Sequence, residues 1–307
     1  MPVPGRSEPV WQIISAALSA RTNQPFSVDY IRPVSGGCIN SAVIVSDGES
    51  SYFVKLNSAR YAEMFAAEAD GLRELCGADA LRVPMPLCCG NNDDYAWLVL
   101  EDLVLEKAGD LRPKASGDWS QLGRGLALMH RRQQDQYGWH RDNTIGSTPQ
   151  CNDYSDDWIE FVRDRRIGYQ LDLAARNGSD KRLQSSGHQL LDSLPRFFVG
   201  RVPAASLLHG DLWSGNVAFF GDGQPVVFDP AVYYGDREAD IAMTELFGGF
   251  APEFYSAYEA QWPLDKGYPL RKHLYNLYHL LNHLNLFGAG YLPQCQATID
   301  ALLTQVN

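Results

Sequence analysis

Long apolar runs are missing from these 307 residues. The longest, at 95–100, falls far short of the roughly 20 residues a membrane-spanning helix needs. Positive charge is also scarce: Lys and Arg number 26 against 37 Asp and Glu, a net charge of −11. Without a basic run, bulk attraction to nucleic acid or to an anionic membrane is excluded as a binding mode. Any phosphate must be held locally, by backbone N–H groups, a metal or one or two cations. The six cysteines (38, 76, 88, 89, 151 and 295) include no CxxC pair. A chain of this size needs no disulfide staples, so a reduced, cytoplasmic compartment is expected. The first 20 residues have no basic start and no long apolar core, which argues against a signal peptide. Repeats and low-complexity tracts are absent.

What is present is ordinary globular composition, 45% hydrophobic and 21% charged, which argues against disorder. At about 100–200 residues per domain, the length allows two lobes. The first part reads as strands at 26–35, 41–46 and 52–56, with an Asp47-Gly48 turn between the second and third. A helix follows at 61–76, where Phe65, Leu72 and Leu75 share a face. Two more strands lie around 87–90 and 95–101. Beyond Asp102 the helical period dominates, starting with 118–132 behind an Asp118/Gln121 cap. Further helices are expected at 157–176, 181–194, 238–247, 252–261, 270–287 and 292–306. A strand near 207 and a hairpin from 217 to 229 interrupt them. The reading is an α+β, bilobal chain: residues 1–102 a small antiparallel-sheet lobe with one main helix, residues 103–307 a larger, mostly helical lobe.

The strongest chemical signal is His209-Gly210-Asp211-Leu212-Trp213-Ser214-Gly215-Asn216, followed by Asp229. Asp211 sits on a loop after an apolar strand, and the hairpin should bring Asn216 and Asp229 side by side. An amide oxygen plus a carboxylate, with room for water and substrate oxygens, suits Mg²⁺. Asp211 is then free to accept a proton from an incoming hydroxyl. This is the arrangement of kinase phosphoryl transfer. In the first lobe, Lys55 lies mid-strand and Glu68 lies on the apolar face of its helix. A carboxylate there needs a partner, and Lys55 is the nearest plausible one. Such a pair aims an ammonium at the α- and β-phosphates of ATP. Gly36 and Gly37, between the first two strands, would let backbone N–H groups approach phosphate. That stretch is neither a Walker sequence nor a dinucleotide fingerprint. Glu101, Asp102 and Leu103 form the connector between lobes, placed to meet adenine through backbone atoms. His279 and His283 have zinc spacing, but Leu280 stands where the acidic partner of a zinc helix would be, so packing is the better reading. Trp213, Asp236, Asn282 and the aromatics Tyr137, Trp139 and Trp158 are candidates for an acceptor pocket.

Together these residues resemble the protein-kinase-like superfamily, and within it the small-molecule kinases related to aminoglycoside and choline kinases. Trp213 stands where protein kinases keep a Lys, and Asp229-Pro230-Ala231 replaces Asp-Phe-Gly. The stretches HGDLWSGN, FDPAVYYGDREADIAMTELFGGF, GGCIN, YFVKLN and YGWHRDNTIGSTPQCN resemble the fructosamine kinase (ketosamine kinase) family from about residue 36 to 286. The resemblance implies a kinase that uses ATP and Mg²⁺ to phosphorylate a ketosamine, small or protein-bound, in deglycation. It implies Asp211 as general base, Asn216 and Asp229 as Mg²⁺ ligands, Lys55 with Glu68 on the phosphates, and Asp240 as a brace for the catalytic loop. It also raises redox sensitivity at Cys38. An aminoglycoside- or choline-type acceptor, or a silent nucleotide-binding protein, stays open here, as does the choice between monomer and homodimer.

Overall fold

The computed structural model describes residues 3–34, 39–103 and 117–306. Gly36, Gly37 and Cys38 therefore lie outside the described residues.

A five-stranded antiparallel sheet occupies the first part. Its strands are β1 (Tyr30–Val34), β2 (Ser41–Ser46), β3 (Ser51–Ser58), β4 (Pro86–Asn91) and β5 (Tyr95–Glu101), in the order β1-β2-β3-β5-β4. Pro33 is tolerated because β1 is an edge strand. Alternation along each strand splits the sheet's two faces. Val43, Val45, Val54, Leu56, Trp97 and Val99 point to one side, where helix α1 (Pro9–Thr22) covers them with Val10, Trp11, Ile14 and Leu18. Ala96, Leu98 and Leu100 point to the other and pack against helix α2 (Ala62–Cys76) through Phe65, Ala69, Leu72 and Leu75. The first lobe thus carries two helices where the sequence suggested one main helix. The expected strand at 26–35 begins only at Tyr30, because Phe26 turns into the core beneath α1.

The α2 side of the sheet shares one continuous core with the helical part. That part begins with α3 (Trp119–His130), whose cap is as expected: the Asp118 carboxylate accepts the Gln121 N–H at 2.8 Å. The long segment after α3 holds β6 (Gln133–Gln134) and a hairpin of β7 (Asn143–Ile145) and β8 (Thr148–Gln150). Then come α4 (Trp158–Val162), α5 (Gly168–Arg176) and α6 (Lys181–Ser193). A single π-type turn, Arg163–Ile167, divides the expected 157–176 helix. β9 (Ala205–Leu208) leads into the hairpin of β10 (Val217–Phe219) and β11 (Pro225–Val227), then β12 (Tyr233–Gly235). The chain ends with α7 (Glu238–Leu246), α8 (Pro252–Gln261), α9 (Tyr268–Phe287) and α10 (Leu292–Val306). β12, β9 and β6 form a small sheet in that order. No helix among the described residues is long and apolar enough to cross a membrane.

Candidate active site

Strand alternation decides where Lys55 points. Its neighbours Val54 and Leu56 face α1, so its side chain faces α2. There it ion-pairs with Glu68, which is one turn from Phe65 and Leu72 on the buried face of α2. The Lys55 Nζ also lies 2.5 Å from Oδ1 of Asp229. Burial alone would pull this lysine's pKa down. The charges of Asp229 and Glu68 outweigh it and hold the ammonium charged, well above its ordinary value.

Asp229 follows β11. Pairing of Val217 with Val227 continues as Phe228 N–H donates to Asn216 carbonyl oxygen at 3.1 Å, so Asn216 and Asp229 meet at the hairpin's open end. The Asn216 amide donates to the Asp211 backbone oxygen at 2.9 Å and to its Oδ2 at 3.2 Å. It also reaches the Asp229 backbone oxygen at 3.5 Å. Among the described residues no donor engages Asn216 Oδ1. Asp229 is half exposed, at 47%, and adopts φ +56°, a left-handed conformation uncommon outside glycine. The Asn216 side chain thus touches the Asp211 carboxylate and the Asp229 backbone, while the Asp229 carboxylate bonds Lys55. Burial pushes the Asp211 carboxyl up to about 7; the Asp229 charge adds to this and the Asn216 N–H opposes it.

The loop that presents Asp211 is braced from beneath. Asp240, at the start of α7, accepts the His209 N–H at 2.7 Å and the Gly210 N–H at 2.8 Å. His130 Nε2 lies 3.2 Å from the same carboxylate. A carboxylate only accepts, so this nitrogen carries the proton, and Nδ1 accepts from Tyr258 hydroxyl at 2.8 Å. Arg237 donates in turn to Tyr258 at 2.9 Å. Gly210 cannot be replaced: at φ +81°, a Cβ would sit 2.0 Å from the Ala231 carbonyl oxygen.

The connector is partly self-satisfied. Glu101 N–H donates to Met85 oxygen and Leu103 N–H to Glu101 oxygen, 3.0 and 3.1 Å. The Glu101 carboxylate pairs with Arg82 at 2.6 Å, and Asp102 accepts from Ser51 at 2.7 Å. Trp213 is 37% exposed beside Asp211, its ring edge-on to Phe247.

The other pocket candidates are buried. Asp236 is 1% exposed, paired with Arg201 and accepting the Tyr275 hydroxyl at 2.5 Å, so its charge is already matched inside the protein. Tyr137, Trp139 and Trp158 belong to the main core. Asn282 is buried, donating to the Ile145 oxygen and accepting from Gln170. His279 is buried, which pushes its pKa down to about 3, and His283 stacks against both Phe287 and Tyr291. The Lys55–Asp229 bond and the His130 brace join residues 174 and 110 positions apart, beyond the reach of local sequence pattern. His130 closes the apolar stripe of α3, and a buried stripe ending in histidine was the available signal.

A family model described as Fructosamine kinase matches residues 10–305. The chain belongs to the fructosamine kinase family. It is a kinase. A "probable ketoamine kinase" of Synechocystis is 44% identical over 98% of this chain and 99% of the relative. The chloroplastic protein-ribulosamine 3-kinase of Arabidopsis thaliana is 42% identical, over 90% of this chain and 83% of its own length. The crystal structure of a "putative fructosamine-3-kinase" from Haemophilus somnus superposes with a TM-score of 0.84 at 30% identity. That match covers 95% of this chain and 97% of the other. The aminoglycoside phosphotransferase APH(4)-Ia, at 18% identity and a TM-score of 0.60 over 95% of this chain and 98% of its own, shares the bilobal kinase-like fold.

Proposed function

We propose that this fructosamine kinase family member transfers the terminal phosphoryl group of ATP to a sugar hydroxyl of a ketosamine, as a step in deglycation. The carrying observation is the convergence of Asp211, Asn216 and Asp229 beside the Lys55–Glu68 pair. Nucleotide would lie between residues 1–102 and 103–307, with adenine near the backbone of Glu101, Asp102 and Leu103. Two of those N–H groups are already engaged, so the Asp102 N–H and the carbonyls of Asp102 and Leu103 are the groups on offer among the described residues. Gly36 and Gly37 would cover the phosphates, and Lys55 would meet them as a fixed cation.

The donor set fits a divalent ion of the Mg²⁺ type. Asp229 presents a half-exposed carboxylate, and Asn216 an amide oxygen no described donor occupies, both hard oxygen ligands. Asn216 and Asp229 would hold the ion; bound there, Mg²⁺ supplies neutralisation of charge on the transferring group. The chain's own contribution is proton transfer and order. Asp211 accepts the proton of the acceptor hydroxyl at its Oδ atoms, with a pKa near the working pH. Asn216 fixes that carboxylate's orientation, and the Asp240 brace fixes the backbone that carries it.

The relatives' names include ribulosamine and a 3-position, and we extend both to this chain. Trp213 is the one acceptor-pocket candidate still exposed next to Asp211, and it would flank the sugar. A cytoplasmic setting is part of the same proposal. The test is a coupled assay for ADP release with ribulose-lysine, fructose-lysine, an aminoglycoside and choline. The expected result is turnover of a ketosamine, with the phosphate on oxygen 3 by NMR. Turnover of choline or the aminoglycoside alone overturns the acceptor. ADP binding with no turnover of any acceptor overturns the activity.

A further inference from the structure

Residues 137–152 carry one of the chain's most distinctive stretches, and phosphoryl transfer as described gives them no task. They run between two elements that matter to Lys55. Arg141 reaches α2, placing Nη1 2.5 Å from Asp70 Oδ2 and Nη2 3.1 Å from Glu63 Oε2. Asp70 and Glu63 lie seven residues apart on one face of α2, opposite the face from which Glu68 points at Lys55. Asp70, 32% exposed, is the firmer of the two anchors; Glu63 is 91% exposed and adds little.

The other end of the stretch holds the chain just after Asp229. Asn143 donates to the Val232 carbonyl at 2.7 Å, and Gln150 to the Ala231 carbonyl at 3.1 Å. The two amides are themselves locked: Gln150 donates to Asn143 Oδ1 at 2.8 Å and accepts from Tyr278 hydroxyl at 2.7 Å. Asn152 donates to the same Asn143 oxygen and accepts from Arg166, which is buried against Tyr233. Gln150 is 1% exposed and Asn152 fully buried. Buried amides with their bonds satisfied hold one arrangement and penalise others. The segment they grip needs such support, because Asp229 sits at φ +56°. It also touches α2 directly: a Cβ on Gly71 would meet Val232 Cγ2 at 3.2 Å.

We propose that residues 141–150 form a strap that keeps Glu68 and Asp229 in place on either side of Lys55, with Arg141, Asn143 and Gln150 as positioning residues. The inference rests on the proposed role of Asp229 in holding the divalent ion.

The test uses the full chain. Calorimetric titration of ADP at graded Mg²⁺ is run on wild type, Gln150→Met, Asn143→Ser and Arg141→Ala, with amide hydrogen exchange at Ala231, whose N–H donates to His209 oxygen at 2.8 Å. Gln150→Met keeps the side chain's length and removes its amide. It should raise the Mg²⁺ concentration for half-maximal ADP binding about ten- to a hundredfold, as loss of a group orienting a metal ligand does. Exchange at Ala231 should quicken, with acceptor KM unchanged. Asn143→Ser serves the same readouts should Gln150→Met not fold. Arg141→Ala should raise the KM for ATP, and Arg141→Lys should recover part of that loss. Unchanged Mg²⁺ dependence and unchanged exchange, with only a lower melting temperature, overturn the strap. An Asp229→Asn protein with normal Mg²⁺ dependence overturns the metal role instead.

Discussion

Lys55 and Asp229, 174 residues apart, meet at 2.5 Å, and their ion pair ties the centre of the sheet to the turn after β11. Lys55 is buried and serves two carboxylates at once, Glu68 and Asp229. Removing it strips both of their counter-charge and removes the fixed cation proposed for the phosphates. Lys55→Met should lower kcat/KM for ATP by about 10²–10³-fold, comparable to the loss of one preorganised electrostatic group. Steady-state kinetics with ATP varied at fixed ketosamine measures it.

Asp211 sets the pH dependence. Its carboxyl is pushed up to about 7 by burial, so the proton-accepting form gains population as pH rises through 7. Below that, kcat/KM should fall about tenfold per pH unit. Stability runs the opposite way. The unfolded carboxyl ionises near 3.8, so between that value and 7 the folded state binds the extra proton. This group's contribution is therefore present at acid pH and lost as pH rises through 7. Asp211→Asn should melt higher than wild type at pH 8, with the gain vanishing near pH 4; a pH series of thermal melts checks it.

Gly210→Ala should abolish activity. Its Cβ would fall 2.0 Å from Ala231 oxygen, and neither backbone can yield without moving Asp211 or the turn after Asp229. A destabilisation of at least about 1–3 kcal/mol is expected from the left-handed backbone alone. Urea unfolding with parallel turnover measurements separates the two effects.

Asp236 gives a contrasting case. Its carboxylate is buried with Arg201 and Tyr275, so Asp236→Ala leaves the Tyr275 hydroxyl without its acceptor and Arg201 with Glu238, at 3.1 Å, as its remaining carboxylate. Leaving a buried polar group without its partner costs about 1–3 kcal/mol. The melting temperature should drop sharply while the acceptor KM of the folded fraction stays the same.

Local pattern made some of this legible and left other parts hidden. The period-2 alternation of β3 and the position of Glu68 between Phe65 and Leu72 are both written in neighbouring residues, so the Lys55–Glu68 pair could be anticipated. The hairpin that brings Asn216 to Asp229 was equally local. The 9–22 helix was also local, with Val10, Ile14 and Leu18 one turn apart behind Pro9, but its role appears only once an uncovered sheet face exists to receive it. Asp236 looked like a pocket residue because nothing near it in sequence shows that Tyr275, 39 positions on, donates to it. The 137–152 stretch stands out by its resemblance to the family, yet its grip on Ala231, 81 residues from Gln150, depends on tertiary packing alone.

Asp211, as the proposed proton acceptor, is the residue on which the mechanism turns. Its most direct test is the rate of ketosamine phosphorylation by Asp211→Asn at saturating ATP and Mg²⁺, measured with ADP affinity on the same protein. The rate should fall about 10²–10⁴-fold with ADP affinity close to wild type. A near-normal rate would contradict it.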